Sequence, residues 1–325
     1  MQLRQSLNAA VEQLTAAHVP SPRMNAELLI MFTLGCDRAY LYAHPERELS
    51  STECQQYDEA LARRATGVPA QYITGHQEFW GLDLLVSPAV LIPRPETEHV
   101  VEAVLEIVSG GDGEGEQDQG QKQDQNQKQP QRARAPAPHG LIPHKLSIVD
   151  VGTGSGAIAL ALASELPTAE IHATDISAEA LEVARANAAR LEVGLRVEFL
   201  LADLLGGLPA ASFDLVVSNP PYVGESEGES VQLEVRKYEP RNAVFAGPTG
   251  LEVVERLIPQ AWTALRPGGW LVFEISGTIA DRVRTLLTGW DRVDLTADLQ
   301  GIARVARARK SLENNHEGPT LRSPS

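Results

Sequence analysis

The stretch Leu146-Ser147-Ile148-Val149-Asp150-Val151-Gly152-Thr153-Gly154-Ser155-Gly156 decides the fold. Its first half is apolar and reads as a buried strand; its second half is a turn that opens a helix over residues 157–166. Three alternate glycines let the backbone turn tightly and come close to a ligand, where a side chain would block the approach. A glycine-rich turn between strand and helix suits a dinucleotide, a methyl-donor nucleoside or no ligand at all. Two details favour the methyl donor. The spacing is D-x-G-x-G-x-G rather than the G-x-G-x-x-G of phosphate binders. An acid, Asp175, also ends the next strand, where it can accept hydrogen bonds from both hydroxyls of a ribose.

Outward from this turn the chain alternates strand and helix. Residues 170–174 read as a strand, and Ser177 caps a helix that reaches about Leu191. Strands follow at 196–199 and 213–217, then a helix over 251–265. Pro267-Gly268-Gly269 turns into a strand at 270–275, a helix lies near 281–287, and two short strands sit at 291–295 and 302–306. Such alternation implies a mostly parallel, doubly wound sheet with ligands at the carboxyl ends of its strands. S-adenosylmethionine carries no phosphate, so its site needs a loop for methionine, a carboxylate for ribose and a slot for adenine. Asp203, after the third strand, with Leu204 beside it, is placed to meet an adenine edge; in isolation it reads equally as a loop acid or helix cap. The expected fold class is α/β: a Rossmann-like class I S-adenosylmethionine-dependent methyltransferase with a small N-terminal helical domain.

The fourth strand stops abruptly at Ser218-Asn219-Pro220-Pro221-Tyr222. Proline fixes φ and has no N–H, so Pro220 and Pro221 cannot continue a ladder, but they hold their neighbours still with carbonyls turned outward. Asn219 offers a carbonyl and an NH2, a pair suited to a planar group that carries both. By themselves these residues also read as a proline-rich turn whose Asn caps its own backbone, with Tyr222 a core aromatic. After the glycine turn, Asp175 and Asp203, they acquire a chemistry. Asn-Pro-Pro-Tyr is shared by enzymes that methylate a nitrogen conjugated to a π-system, an adenine N6 or an amide. Such a nitrogen is a poor nucleophile because its lone pair is delocalised. The Asn219 side-chain oxygen and the Pro220 carbonyl can accept its two hydrogens, orienting it and letting the lone pair localise as a bond forms. Asn219, Pro220 and Tyr222 are the expected catalytic residues; Pro221 joins them in the substrate wall, and Tyr222 packs on the flat face of the acceptor.

The rest of the chain frames this centre. Residues 1–70 carry amphipathic helices, with Ser50 and Glu53 at capping-box spacing, and read as a helical bundle expected to dock substrate. Residues 71–95 read as a β-hairpin and junction, with strands at 71–73 and 78–86 and a turn near Gly75-His76. A catalytic domain spans 96–309, interrupted at about 110–138 by a Gln-, Asp-, Gly-, Lys- and Pro-rich insertion whose composition predicts disorder. Residues 310–325 read as a flexible tail.

Of 325 residues 43% are hydrophobic, enough for a large core, and the formal net charge is −15. That disfavours a protein whose task is gripping nucleic-acid backbone, so no direct nucleic-acid contact is expected. No basic segment precedes an apolar core at the N-terminus, and no run approaches about 18 apolar residues. Neither a secretory signal nor a membrane span is expected, and the cytoplasm is the default. Cys36 and Cys54 form no motif and read as buried free thiols in separate helices. His99 has no partner at metal spacing and reads as a surface residue; no metal is expected.

Beyond the shared methyltransferase features, three stretches carry a resemblance: Pro69-Ala70-Gln71-Tyr72-Ile73-Thr74-Gly75, Glu78-Phe79-Trp80-Gly81 and Leu91-Ile92-Pro93-Arg94-Pro95-Glu96-Thr97-Glu98. With the glycine turn and Asn-Pro-Pro-Tyr, the chain resembles the PrmC/HemK family, the release-factor glutamine N5-methyltransferases, over nearly its whole length apart from the insertion and tail. The resemblance implies S-adenosyl-L-methionine as cofactor, with S-adenosylhomocysteine as product. It implies that Gly152, Thr153, Gly154, Ser155, Gly156 and Asp175 hold the cofactor together with Asn219, and that the Asp203-Leu204 turn touches its adenine. Asn219, Pro220, Pro221 and Tyr222 would hold the substrate, the glutamine of the Gly-Gly-Gln (GGQ) loop in class-1 peptide chain release factors. The rivals are an adenine-N6 nucleic-acid methyltransferase, which would need a basic groove, and another protein amide methyltransferase, for instance on a ribosomal protein. A non-catalytic protein that kept the fold is a third. The insertion departs from the family's pattern, residues 224–236 are acidic with no contacts assigned, and Glu96 and Glu98 read as first-turn acids complementing a helix dipole.

Overall fold

In the computed structural model, which describes residues 1–110 and 145–312, Leu3, Leu7, Ala10 and Leu14 fall on one buried face of α1 (Leu3–Ala16). That face packs on α2 (Pro22–Leu34), which also holds the short α3 (Arg38–Ala43), and on α4 (Ser51–Ala65). Leu29, Ile30, Tyr57 and Leu61 complete this small core. The predicted capping box forms: the Glu53 N–H donates to Ser50 Oγ (3.2 Å) and the Ser50 N–H to Glu53 Oε2 (2.8 Å). Cys54 lies in α4, but Cys36 lies in the turn after α2 rather than in a helix; both are free and half-buried.

The junction differs from the sequence expectation. Residues 71–73, predicted as a strand, sit in a single helical turn, α5 (Ala70–Thr74), which begins after Pro69 and closes on Gly75. Tyr72 is buried there, and its hydroxyl donates to Val90 O (2.6 Å). The hairpin follows one step later, with β1 (His76–Phe79) antiparallel to β2 (Leu82–Leu85). It reverses at Trp80-Gly81, not near Gly75-His76. Both loop residues have left-handed φ, 56° and 75°, as a two-residue hairpin turn requires. That conformation is costly for a bulky residue. Trp80 is held in it by its backbone N–H on Glu98 Oε1 (2.7 Å) and its indole N–H on Glu165 Oε1 (2.8 Å). Glu98, the first residue of α6 (Glu98–Val108), thus has a partner more specific than the helix dipole.

After α6 the chain continues with β3 (Ser147–Val151), α7 (Ala157–Glu165), β4 (Glu170–Asp175), α8 (Ala178–Arg190), β5 (Val197–Leu201) and β6 (Phe213–Ser218). Four short elements not foreseen from sequence come next: β7 (Val223–Gly224), α9 (Leu233–Tyr238), α10 (Arg241–Val244) and β8 (Phe245–Gly247). The chain then runs through α11 (Glu252–Ala264), β9 (Leu265–Glu274), α12 (Ala280–Leu286), β10 (Arg292–Ala297) and β11 (Ala303–Arg309). Seven strands form one sheet in the order β10-β11-β9-β6-β3-β4-β5. The five from β9 to β5 are parallel, and β11 runs antiparallel to both its neighbours. The central strand β3 is buried throughout: Ile148 points into one apolar layer with Leu160 and Ile171, while Val149 and Val151 point into the other with Leu257 and Leu271. The strand order reverses between β4 and β6 around β3, so the carboxyl ends of β3 and β6 form the crevice where ligands bind in such sheets.

The predicted insertion at about 110–138 lies outside the described residues apart from Gly110, as does the predicted tail beyond Leu312. The tail does not begin at residue 310. The Lys310 N–H donates to Gly269 O (2.8 Å), and its ammonium donates to Trp262 O (2.5 Å) and Leu265 O (2.7 Å), where a cation complements the end of α11. Among the described residues no helix is long and apolar enough to cross a membrane.

Candidate active site

The turn after β3 takes its shape from backbone conformations that only glycine adopts freely. Gly152, Gly154 and Gly156 have φ of 72°, 56° and 85°. They serve different ends. A Cβ on Gly156 would meet Leu160 Cδ1 at 3.0 Å and Ala184 Cβ at 3.3 Å, so this glycine lets α7 pack on α8. A Cβ on Gly152 or Gly154 would meet nothing within 4 Å; these two face open space. The N–H groups of Gly152 and Thr153 donate to Thr174 O, at 2.8 and 2.9 Å. Asp175 braces the turn from the end of β4, where Oδ2 accepts from the Gly154 N–H (2.9 Å) and Oδ1 from the Ser177 N–H (2.9 Å). Asn187, fully buried on α8 and absent from the sequence reading, donates to Ser155 O (2.9 Å) and Leu85 O (3.0 Å). It ties the turn to the hairpin.

Beneath the turn Asp150 is 1% exposed. Its Oδ2 accepts from Thr153 Oγ1 (2.6 Å) and the Ala159 N–H (3.1 Å), but Oδ1 has no partner among the described residues. Burial opposes the charged form and pushes its pKa up to about 7; the two hydrogen bonds only partly offset this, and neighbouring Asp175 adds to it. A buried carboxylate oxygen with no donor favours a nearby cationic group. The ammonium of a methionine moiety is such a group. Asp150 lies beneath the turn rather than in the open, so the groups of this turn that fit S-adenosylmethionine directly are the Gly152–Ser155 backbone and the Asp175 carboxylate, with Asp150 behind them.

The corner after β6 is built from three distant parts of the chain. Ser218 is buried and donates through its hydroxyl to Val151 O (2.7 Å), locking the end of β6 to β3. The Asn219 NH2 donates to Thr97 Oγ1 (2.9 Å), Thr97 donates to Glu274 Oε2 (2.6 Å), and the Tyr222 hydroxyl donates to Glu274 Oε1 (2.9 Å). Asn219 Oδ1 is the amide atom without a donor among the described residues. Glu274, at the end of β9, is 2% exposed, and burial raises its pKa while the Thr97 and Tyr222 hydroxyls pull it down. Burial and this carboxylate together hold the Tyr222 phenol well above the usual range, so it stays a neutral donor. The sequence marks Thr97 only as a member of the Leu91–Glu98 stretch that carries the resemblance, and it marks Glu274 not at all. Neither has a local signature.

The turn and the corner face one cavity of about 530 Å³, a size suited to a drug-sized ligand. Gly152, Thr153, Gly154, Ser155 and Asp175 line one side, Asp203 and Leu204 another, and Asn219 and Pro221 a third. Gly156, Pro220 and Tyr222 are not in the lining: Gly156 starts α7, Pro220 is buried behind the corner, and Tyr222 is engaged with Glu274. Leu204 has a left-handed φ of 53° and is fixed there by the Thr174 hydroxyl on its carbonyl (2.9 Å). Asp203 is half exposed and paired with Arg256 at the rim. The cavity is completed by Leu91 and Pro93 of the junction, which the sequence marks only through the resemblance, and by Asn242 and Phe245 beyond the corner, which it does not mark.

The segment beyond the corner is clamped to the N-terminal bundle. Arg64 of α4, 3% exposed, donates to Asn25 Oδ1 (2.7 Å), Val68 O (3.2 Å) and Glu234 Oε1 (2.5 Å). Tyr238 donates to Thr66 O (2.8 Å), while buried Glu239 accepts from Arg94 and from the Ile92 N–H (3.0 Å). Residues 233–239, left without a role by sequence, therefore bridge bundle and junction.

Residues 5–75 match a family model described as the PrmC N-terminal domain, and residues 139–236 match one described as the methyltransferase small domain. A protein of Koribacter versatilis named release factor glutamine methyltransferase is 50% identical over 313 residues, 95% of this chain and 99% of that one. Proteins of the same name are 41% identical in Moorella thermoacetica, over 88% of this chain and 89% of that one, and 38% identical in Deinococcus radiodurans, over 96% and 99%.

Proposed function

This chain belongs to the release factor glutamine methyltransferase family, and from that premise we infer that it methylates the side-chain amide nitrogen, N5, of a release-factor glutamine. We propose S-adenosyl-L-methionine as the methyl donor and the Gly-Gly-Gln loop of a class-1 peptide chain release factor as the acceptor. Bound in the cavity, the donor would supply an electrophilic methyl on a sulfonium and leave as S-adenosylhomocysteine. The glycine turn, with Asp150 and Asp175, would hold its methionine and ribose parts, and the Asp203-Leu204 turn would meet its adenine. An adenine amino group can reach Asp203 only alongside Arg256, which shares that carboxylate.

The observation that carries this reading is the orientation of Asn219. Its NH2 is held inward by Thr97, so Oδ1 is left to face the cavity as an acceptor. A glutamine carboxamide offers two N–H groups. Asn219 Oδ1 would accept one, holding the nitrogen and letting its lone pair localise as the N–C bond forms, and the Pro220 carbonyl would take the other only where the acceptor reaches past the Pro221 wall, since Pro220 itself is buried behind the corner. The proton is lost to solvent after transfer, so no strong base is needed. Pro221 walls the acceptor, and Tyr222 stiffens the corner through Glu274. The nucleic-acid reading is less supported, since the relatives are named for a glutamine substrate and the net charge is −15.

The test is to incubate the protein with S-adenosylmethionine bearing a labelled methyl group and either a release-factor domain containing Gly-Gly-Gln, the same domain with that glutamine changed to alanine, or duplex and single-stranded DNA. One methyl on the intact loop and none elsewhere is expected. Label on adenine, or on no substrate, overturns the reading.

A further inference from the structure

Glu274 sits at the end of β9 and does not itself line the cavity, but it ends a chain of hydrogen bonds that runs through Thr97, which does, to Asn219. An ionised carboxylate can only accept. It takes both hydroxyl protons offered to it, from Thr97 at 2.6 Å and Tyr222 at 2.9 Å. With its proton committed, Thr97 Oγ1 has only lone pairs left for Asn219, and the Asn219 group at 2.9 Å must be the NH2. A threonine free to turn its hydroxyl would serve either end of the amide equally well.

We propose that Glu274 is a positioning residue: acting through Thr97, it fixes the direction of the Asn219 amide so that oxygen rather than nitrogen faces the acceptor. This rests on the role given to Asn219 above. If the Glu274 charge is lost, Thr97 can donate to Asn219 Oδ1 and the amide turns over. Its NH2 then opposes the NH2 of the acceptor, donor against donor, and the nitrogen is no longer held. The same carboxylate keeps Tyr222 fixed behind the corner, so one buried charge orders both ends of Asn-Pro-Pro-Tyr. Glu96, beside Thr97, and Arg304, on β11, are the other charged groups acting on Glu274, the first raising its pKa and the second lowering it. Burial puts protonation of Glu274 above the ordinary carboxylate range. Falling pH should therefore release the Thr97 hydroxyl before exposed acids titrate.

Thr97→Val removes the hydroxyl at nearly constant shape, Thr97→Ser retains it, and Glu274→Gln removes the charge. Steady-state methylation of the Gly-Gly-Gln domain, calorimetric cofactor affinity, melting temperature and the pH profile of kcat are measured for each. Thr97→Val should lower kcat about 10²-fold with cofactor Kd within about twofold of wild type, and Thr97→Ser should restore most of it. Glu274→Gln should show a similar loss and no acid limb in kcat, where wild type shows one. Should Glu274→Gln fail to fold, the valine and serine pair carries the test. Wild-type kcat in Thr97→Val overturns the proposal, as does equal loss in valine and serine, which would make the methyl contact the important one. If the wild-type protein leaves the Gly-Gly-Gln domain unlabelled, the functional reading falls and this proposal with it; labelled wild type with an indifferent Thr97→Val removes the positioning role alone.

Discussion

The glycine turn and the diproline corner face each other across one cavity, and they are held in opposite ways. The turn is braced by near neighbours: Asp150 accepts from Thr153 and Ala159, both within nine residues, and Asp175 reaches Gly154 across 21. The corner is braced from afar. Asn219 bonds Thr97 across 122 residues, Thr97 bonds Glu274 across 177, and Tyr222 bonds Glu274 across 52. A locally braced loop can form as soon as its strand and helix do. A remotely braced corner takes its working shape only when β6, β9 and the junction have come together. The turn thus suits the invariant task of holding a cofactor, and the corner couples acceptor geometry to completion of the fold.

Substitutions should separate the two. The largest effect is expected at the corner: Asn219→Ala should lower kcat about 10²–10³-fold and leave cofactor affinity nearly intact, because it strips one acceptor from the glutamine amide. Steady-state kinetics with a calorimetric titration check this, and an unchanged kcat would remove the assigned role. At the turn the pattern should invert. Asp175→Ala should weaken cofactor binding about 10–100-fold through loss of charge-assisted hydrogen bonds, with a smaller effect on kcat at saturation; equal affinity by calorimetry would break the comparison.

A subtler contrast concerns pH. Asp150 has a folded-state pKa raised to about 7 from 3.8, so its contribution to stability is fully present below about pH 4 and is lost as pH rises through 7. Without cofactor, the melting temperature should therefore fall by several degrees between about pH 4 and 8 through this group, and Asp150→Asn should flatten that fall. Saturating cofactor should also reduce it, if the ammonium pairs with Oδ1. Parallel melting curves for wild type and variant, with and without cofactor, would show either outcome. The smallest effect is expected from deleting residues 112–136, whose composition offers no apolar surface to bury. Melting temperature and kcat should both stay within error, and an unfolded product would show that this stretch contributes to the fold.

Much of the turn is legible from residue order. Gly152, Gly154 and Gly156 announce their conformation, and Asp175 stands where a strand of that length must end. The corner is half legible. Asn219, Pro220 and Pro221 declare a rigid acceptor site, but nothing near Thr97 or Glu274 marks them as its supports, and the order of residues leaves Tyr222 open between the acceptor face and the core, where the structure shows its hydroxyl on Glu274. The junction misleads for another reason. Gln71-Tyr72-Ile73 is too short for periodicity to separate a strand from a helical turn, and it is the buried Tyr72 hydroxyl on Val90 that accompanies the helical outcome. The hairpin reversal at Trp80-Gly81 is hidden likewise, since a tryptophan with left-handed φ depends on Glu98 and Glu165 from elsewhere.

The sequence by itself determined the alternation of strands and helices, the glycine turn with its two acids, and the stiff Asn-Pro-Pro-Tyr stop, because periodicity, glycine and proline act through the backbone on their immediate neighbours. Only the tertiary structure decided which way the Asn219 amide turns, how Arg64 and Glu234 fasten the bundle to the segment beyond the corner, and where the hairpin reverses. Those outcomes depend on hydrogen bonds between groups buried together from distant parts of the chain. The strength and direction of such bonds are set by the surroundings that folding creates.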